Sequence, residues 1–299
     1  MRRATTIAEL QRLADAERAA GRRIALVPTM GALHAGHVAL MEAARKCGDA
    51  VWVSIFVNPA QFNDPKDLEK YPRTLEADLE VCKLAGVDLV FLPDAGEMYP
   101  ADCETWVEVG PLAEPLCGAS RPGHFRGVAT IVCKLLLAAK PHVAIFGEKD
   151  YQQLALIRRM VRDFGFDVAI VGVPTVREAD GVALSSRNAY LDPEARRQSI
   201  ALVRALDAAE NAVAAGERSR ERLLALVRRE IEKAPLAEID YAELRDAESL
   251  VSAPARLSAP VVLALAVFFT PGDPKQGTRV RLIDNRVLQT QHTREDPPS

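Results

Sequence analysis

Two histidines three residues apart, His34 and His37, lie in the glycine-containing segment "PTMGALHAGH", directly after the apolar run "RIALV". Read as a strand, "RIALV" makes residues 28–36 the loop at its carboxyl end, and His37 then opens a helix. Gly31 and Gly36 allow close approach of a ligand to the backbone, and a helix N-terminus offers free N–H groups to a phosphate. Imidazoles placed there can donate hydrogen bonds to phosphate oxygens as charge builds in a phosphoryl-transfer transition state, with their protonation favoured by the bound anion. Taken alone, the pair reads more often as loop histidines satisfied by backbone, because short motifs have many chance matches. A zinc site would need a third ligand or helical i, i+4 spacing, and the segment has neither.

Other chemistry-bearing segments also stand at the ends of apolar runs. "VNPAQF" follows "AVWVSIF" and aims Asn58 and Gln61 at the same cleft, where neutral amides suit a substrate with hydroxyls as well as a carboxylate. In "FGEKD", Gly147 allows close approach, Asp150 can cap a helix or hold a ribose hydroxyl, and Lys149 is a mobile positive charge. "LSSRN" offers the hydroxyls of Ser185 and Ser186 and the guanidinium of Arg187 to phosphate oxygens. Each has a plainer reading: a surface glutamine, a strand-to-helix turn, a capped turn before "DPEARR".

These segments need a frame. Through the first half, "RIALVPT", "AVWVSIFVN", "DLVFLPD", "VAIFG" and "DVAIVGVP" alternate with helical patterns such as "HVALMEAARKCG" and "DYQQLALIRRMVRDFG". That alternation predicts a doubly wound, Rossmann-like parallel sheet covered on both faces, with ligands outside the carboxyl ends of its strands. After "GVPTVREADG" come two charged helical patterns, "PEARRQSIALVRALDAAENAVAAG" and "SRERLLALVRREIEK", then three strands, "EIDYAELRD", "APVVLALAVFF" and "TRVRLIDN". A smaller α+β domain with an antiparallel sheet is expected there. The expected division is residues 1–175, a lid-like domain over 176–290, and a polar tail over 291–299.

At 299 residues and 48% hydrophobic content the chain can bury a large core, and a net charge of −3 gives no global reason to expect nucleic acid or a membrane surface as partner. Cys47, Cys82, Cys103, Cys117 and Cys133 are scattered singly, as reduced thiols are. The start lacks the apolar core of a signal peptide, and "PVVLALAVFF" is half the length that crosses a bilayer. A cytoplasmic protein acting on small molecules is the expectation.

"MGALHAGH" resembles the HxGH signature of the nucleotidyl-transfer superfamily that includes class I aminoacyl-tRNA synthetases. "VPTMGALHAGH", "FVNPAQF", "GEKDYQQL" and "TVREADGVALSSRN", in that order, are together similar to the pantoate-β-alanine ligase family, from about residue 4 to "RLIDN". The resemblance implies ATP-dependent joining of pantoate to β-alanine through an enzyme-bound pantoyl adenylate, in a homodimer. It places ATP on Met30, Gly31, Ala32, Leu33, His34, Ala35, Gly36 and His37; on Gly147, Glu148, Lys149 and Asp150; on Val176, through its backbone; and on Leu184, Ser185, Ser186 and Arg187. His37, His34, Lys149 and Arg187 become the catalytic donors, Gln61 and Gln153 hold pantoate from two sides with Asn58 nearby, and Arg121 in "SRPGHFRG" lies near the phosphates and pantoate. Mg2+ accompanies ATP. Asp78 matches an acidic metal-side position, but Ala77 stands where a second acid sometimes does, and a helix-surface Asp78 is the reading slightly favoured.

Two rivals remain at this level. A nucleotidyltransferase that leaves its nucleotide on a phosphorylated acceptor would not combine "VNPAQF" with "DYQQL" and would want another basic site. A nucleotide-binding regulator would have no need for His34 and His37 together with Lys149 and Arg187. The Pro/Gly-rich stretch in "FFTPGDPKQGTRV" is expected to be an extended hairpin loop without catalytic consequence.

Overall fold

The computed structural model describes residues 1–272 and 278–290; the polar tail and part of the loop before the last strand lie outside them. The chain forms two compact units that divide after Val176.

The first unit carries six strands, β1 (Arg2–Ala4), β2 (Ile24–Thr29), β3 (Ala50–Ile55), β4 (Leu89–Phe91), β5 (Val143–Gly147) and β6 (Ala169–Val173). They form one sheet in the order β1-β4-β3-β2-β5-β6, and every pairing is parallel. Successive side chains of a strand face opposite sides, and both sides are covered here. Ile24, Leu26, Ala50 and Trp52 face one apolar core, while Ala25, Val27, Val51 and Val53 face another with Met41, Leu79 and Ile145. This is why "IALV" and "AVWV" are apolar without alternation. Strand order turns around between β2 and β5, and in such sheets the crevice outside the strand ends at that point is where ligands bind.

The helix His124–Ala139 is buried along most of its length, and Gly127 lets it approach the turn at residues 59–61. A Cβ on Gly127 would stand 2.3 Å from the carbonyl oxygen of Ala60 and 2.7 Å from the amide nitrogen of Gln61. Both neighbours are backbone, so relief requires moving the turn. Gly127→Ala is expected to destabilise the protein by about 1–3 kcal/mol in urea unfolding; an unchanged midpoint would show that helix and turn separate freely.

In the second unit, strands β7 (Ala237–Asp246), β8 (Val261–Phe269) and β9 (Val280–Leu288) form an antiparallel sheet in that order. The central β8 is buried at all but Phe268, and its Val261, Leu263, Leu265, Val267 and Phe269 pack in one apolar core with residues of helices Ala201–Ala214 and Arg220–Glu232. The pattern over 193–216 predicted one helix, whereas two are present, Pro193–Gln198 and Ala201–Ala214. Ser199 is fully buried between them and its hydroxyl donates to the Arg196 carbonyl at 2.8 Å, a local bond that competes with helix continuation.

Candidate active site

The loop after β2 is held from beneath by Asp78. Gly31 has φ +81° and Ala32 φ +51°, so the chain turns through the left-handed region twice. The turn points the amides of Ala32 and Leu33 at the two oxygens of the Asp78 carboxylate, at 3.0 and 2.8 Å, and the Thr74 hydroxyl donates to the same group at 3.2 Å. A Cβ on Gly31 would meet that carboxylate at 2.9 Å. Asp78 is 2% exposed, which corrects the helix-surface reading. Among the described residues no group of three His, Cys, Asp or Glu side chains is placed to hold a metal ion.

Helix Ala35–Cys47 begins on an unusual cap built from the two histidines. The Gly36 amide donates to Nδ1 of His34 at 3.1 Å, and the His34 amide donates to Nδ1 of His37 at 3.2 Å. A backbone amide is an obligatory donor, so each Nδ1 must present a lone pair and each ring carries its proton on Nε2. The rings are 4.2 Å apart between centroids. Burial, then the His34 ring beside it, with Lys149 adding and Asp150 opposing, depresses His37 from 6.5 to about 3. Burial and Lys149 lower His34 as well, Asp150 again opposing. The expectation of protonated imidazoles is therefore corrected: the pair is a set of neutral N–H donors.

The loop after β3 stands beside this one. Gln61 is 8% exposed, and its Nε2 donates to Sδ of Met30 at 3.0 Å, so the two loops touch through residues both expected at the site. Asn58, expected to face the cleft, is 1% exposed and engages its whole amide internally. Its Nδ2 donates to Gln61 Oε1 (2.9 Å) and to the Gly127 carbonyl (3.1 Å), while its Oδ1 accepts from the Ala60 amide (3.3 Å) and the Tyr99 hydroxyl (2.8 Å). Arg121 lies against the same turn, its Nη2 donating to the Gln61 carbonyl at 3.1 Å, and His124 Nδ1 donates to that carbonyl at 2.8 Å. Tyr99 and His124 had no signal in the sequence, since their partners are 41 and 63 residues away.

Gly147 ends β5, and Glu148, Lys149 and Asp150 form the single turn before helix Tyr151–Phe164. Lys149 is mostly buried, with Asp150 3.9 Å away. Gln153 is half-buried, whereas its neighbour Gln152 holds the stretch around residues 112–117 through the Leu112 and Pro115 carbonyls and the Cys117 amide. Val176 closes the first unit.

Leu184, Ser185, Ser186 and Arg187 belong to the second unit. Ser185 caps the turn Ser186–Tyr190 by accepting from the Arg187 amide at 3.2 Å, leaving the Arg187 side chain exposed. Asn188 ties this turn to Glu178 at 2.7 Å, and Arg196 bridges Glu178 and Asp180 at 2.7 and 2.8 Å. Bidentate Arg177–Asp284 bonds of 2.7 and 3.0 Å fix the start of the segment to β9.

A parallel sheet whose carboxyl edge carries two imidazole donors at a helix N-terminus, with a lysine among them, defines a nucleotide-dependent transferase or ligase of the HxGH type. The Pantoate-beta-alanine ligase family model matches residues 2–287, and the chain belongs to that family. The Geobacter sulfurreducens pantothenate synthetase is 51% identical over 288 residues, covering 96% of this chain and 99% of the relative. Pantothenate synthetase 1 of Bradyrhizobium diazoefficiens is 50% identical over 284 residues, covering 95% and 97%. Among solved structures, pantothenate synthetase from Thermus thermophilus superposes with a TM-score of 0.86 at 45% identity, covering 96% of this chain and 99% of that one. The pantoate-beta-alanine ligase of Francisella tularensis, solved with β-γ ATP and β-alanine, gives 0.76 at 33% identity, covering 96% and 97%.

Proposed function

We propose that the protein condenses (R)-pantoate with β-alanine in an ATP-dependent reaction, giving pantothenate, AMP and pyrophosphate. A pantoate carboxylate oxygen bonds to the α-phosphorus of ATP as the bond to pyrophosphate breaks. The β-alanine amine then attacks the acyl carbon of the pantoyl adenylate, the carbonyl-to-phosphate bond breaks, AMP leaves and the amine loses its proton. Both steps need positioning and charge stabilisation more than covalent help, so donors rather than a nucleophile suffice.

In this reading Met30 to His37 and Gly147 to Asp150 receive the nucleotide, with the adenine at the Val176 backbone. His34 and His37 offer neutral Nε2–H groups to the phosphates, Lys149 follows the developing charge, and the hydroxyls and guanidinium of Leu184 to Arg187 serve the nucleotide as the family resemblance implies. Gln61 and Gln153 bind pantoate, and Arg121 backs the Gln61 side. Mg2+ would enter with ATP and offset phosphate charge, and Asp78, which accepts from the loop amides, would support the loop more than the metal. The protein works as a homodimer in the cytoplasm; among the described residues no helix is long and apolar enough to cross a membrane.

The observation that carries this reading is the anchoring of both Nδ1 atoms by backbone amides, which fixes two Nε2 donors at one helix start. The ATP and β-alanine bound to the Francisella relative support the same substrates here. Pyrophosphate and AMP release from MgATP should be followed with pantoate alone and then with β-alanine. One equivalent of pyrophosphate with pantoate, and sustained AMP only once the amine is added, is expected. Silence with pantoate would transfer the site to another acceptor.

A further inference from the structure

We propose that Tyr99 is a positioning residue for pantoate: its hydroxyl completes the bonding of Asn58, which turns the Gln61 amide so that it meets the substrate with N–H donors only. The proposal rests on the reading that Gln61 binds pantoate.

The chain of bonds leaves one orientation for both amides. The Ala60 amide can only donate and the Gly127 carbonyl can only accept, so Asn58 must point Oδ1 at the first and Nδ2 at the second. The second lone pair of Oδ1 goes to Tyr99, and the second hydrogen of Nδ2 goes to Gln61 Oε1. With Oε1 engaged, Gln61 has its Nε2 hydrogens for anything entering the cleft. One of them rests on Met30 Sδ, a weak acceptor that a carboxylate or hydroxyl oxygen readily replaces. An acceptor oxygen on pantoate is matched and a donor is refused.

The backbone partners decide which way Asn58 points, and Tyr99 is the side chain that holds it there and so steadies the Gln61 amide beyond it. The Gln61 carbonyl is held by Arg121 and His124, so the main chain of the turn does not set the side-chain amide. Of the two bonds to Asn58 Oδ1, the one from Tyr99 is the shorter, 2.8 against 3.3 Å. The Tyr99 ring is itself immobilised, stacked on Trp106 with centroids 5.7 Å apart and 18° between planes, and Lys134 Nζ lies 5.1 Å from its centroid. Burial pushes its hydroxyl up to about 12, which keeps the proton on it across the working pH range. Side chains that bind substrate reach productive geometry only when such a supporting shell locks them.

Tyr99→Phe keeps the ring and its stacking and removes only the hydroxyl. In steady-state assays of the full chain it is expected to raise the KM for pantoate about three- to tenfold, the effect of one hydrogen bond, with the KM for ATP unchanged. Gln61→Ala is expected to raise the pantoate KM further, and Tyr99→Phe added to it should have no additional effect. A merely structural tyrosine would instead lower the thermal midpoint and move the ATP and pantoate constants together. An unchanged pantoate KM in Tyr99→Phe, or an undiminished effect in the Gln61→Ala background, overturns the proposal. Should Gln61→Ala itself leave the pantoate KM alone, the assignment of Gln61 falls and takes the proposal with it.

Discussion

Replacing His37 with asparagine is expected to lower kcat by about 100- to 1000-fold while the protein remains folded, the usual consequence of deleting one transition-state donor. Asparagine places its amide oxygen where Nδ1 stands and can still accept the His34 amide, so the helix cap survives. It stops short of Nε2, so the N–H proposed to meet the phosphates is lost. Glutamine reaches farther and should recover part of the rate. Because the ring is held neutral by burial, with His37 depressed to about 3, it contributes no ionisation near pH 6.5 to the kcat profile of the native enzyme. The same depression links folding to pH. Between about 3 and 6.5 the unfolded chain binds this proton and the folded chain does not, so stability rises with pH there. It is fully present above 6.5 and is lost as the pH falls toward 3. Urea midpoints at about pH 7 and about pH 5 should therefore differ more for the native protein than for His37→Asn; parallel behaviour would mean that the folded protein carries an ordinary imidazolium.

Asp78→Asn is expected to lower stability by about 1–3 kcal/mol and kcat by about 100-fold, and added Mg2+ should restore neither. Asparagine has one oxygen, so it can accept from Ala32 or Leu33 but not both, and its NH2 group is then pressed toward the remaining amide. A buried N–H without a partner would be left in a loop whose conformation at Gly31 and Ala32 already lies in the left-handed region. Loss of the turn displaces Met30 and the helix start that carries both histidines. A metal ligand would behave differently: the variant would need more Mg2+ at fixed ATP and would recover at saturation. Rate against Mg2+ concentration separates the two, and recovery would overturn the loop role.

How much of this was readable in advance depended on whether the determining neighbours were close in sequence. The strands β2, β3 and β5 were legible because burial on both faces makes them continuous apolar runs ending in loops. β1 was not, since Arg2, Arg3 and Ala4 join the sheet through backbone pairing with β4 and carry no apolar signal. The His34 and His37 donors were legible as types and spacing, but their protonation was read wrongly, because the cap that fixes Nδ1 exists only in three dimensions. Asn58 and Gln61 looked alike in "VNPAQF"; the turn beginning at Pro59 buries the first as a cap and sets the second beside Met30. Asp78 looked like a surface acid because the amides it holds are 45 and 46 residues away.

The loops that meet at this edge ride on β3, β2 and β5, which are immediate neighbours in the sheet. Joining β5 to β2 brings together chain segments typified by the bond from the Ile24 amide to His142, 118 residues apart. Closing so long a span takes entropy from the chain before its contacts return any stability, which makes pairings of this kind slow steps in folding. The loop that carries His34 and His37 therefore gains Lys149 as a neighbour only after that closure, and a nascent chain that has emerged only as far as β4 holds the histidines but not the lysine. Activity on refolding should appear with the late formation of the β2–β5 pair and not with the first helices.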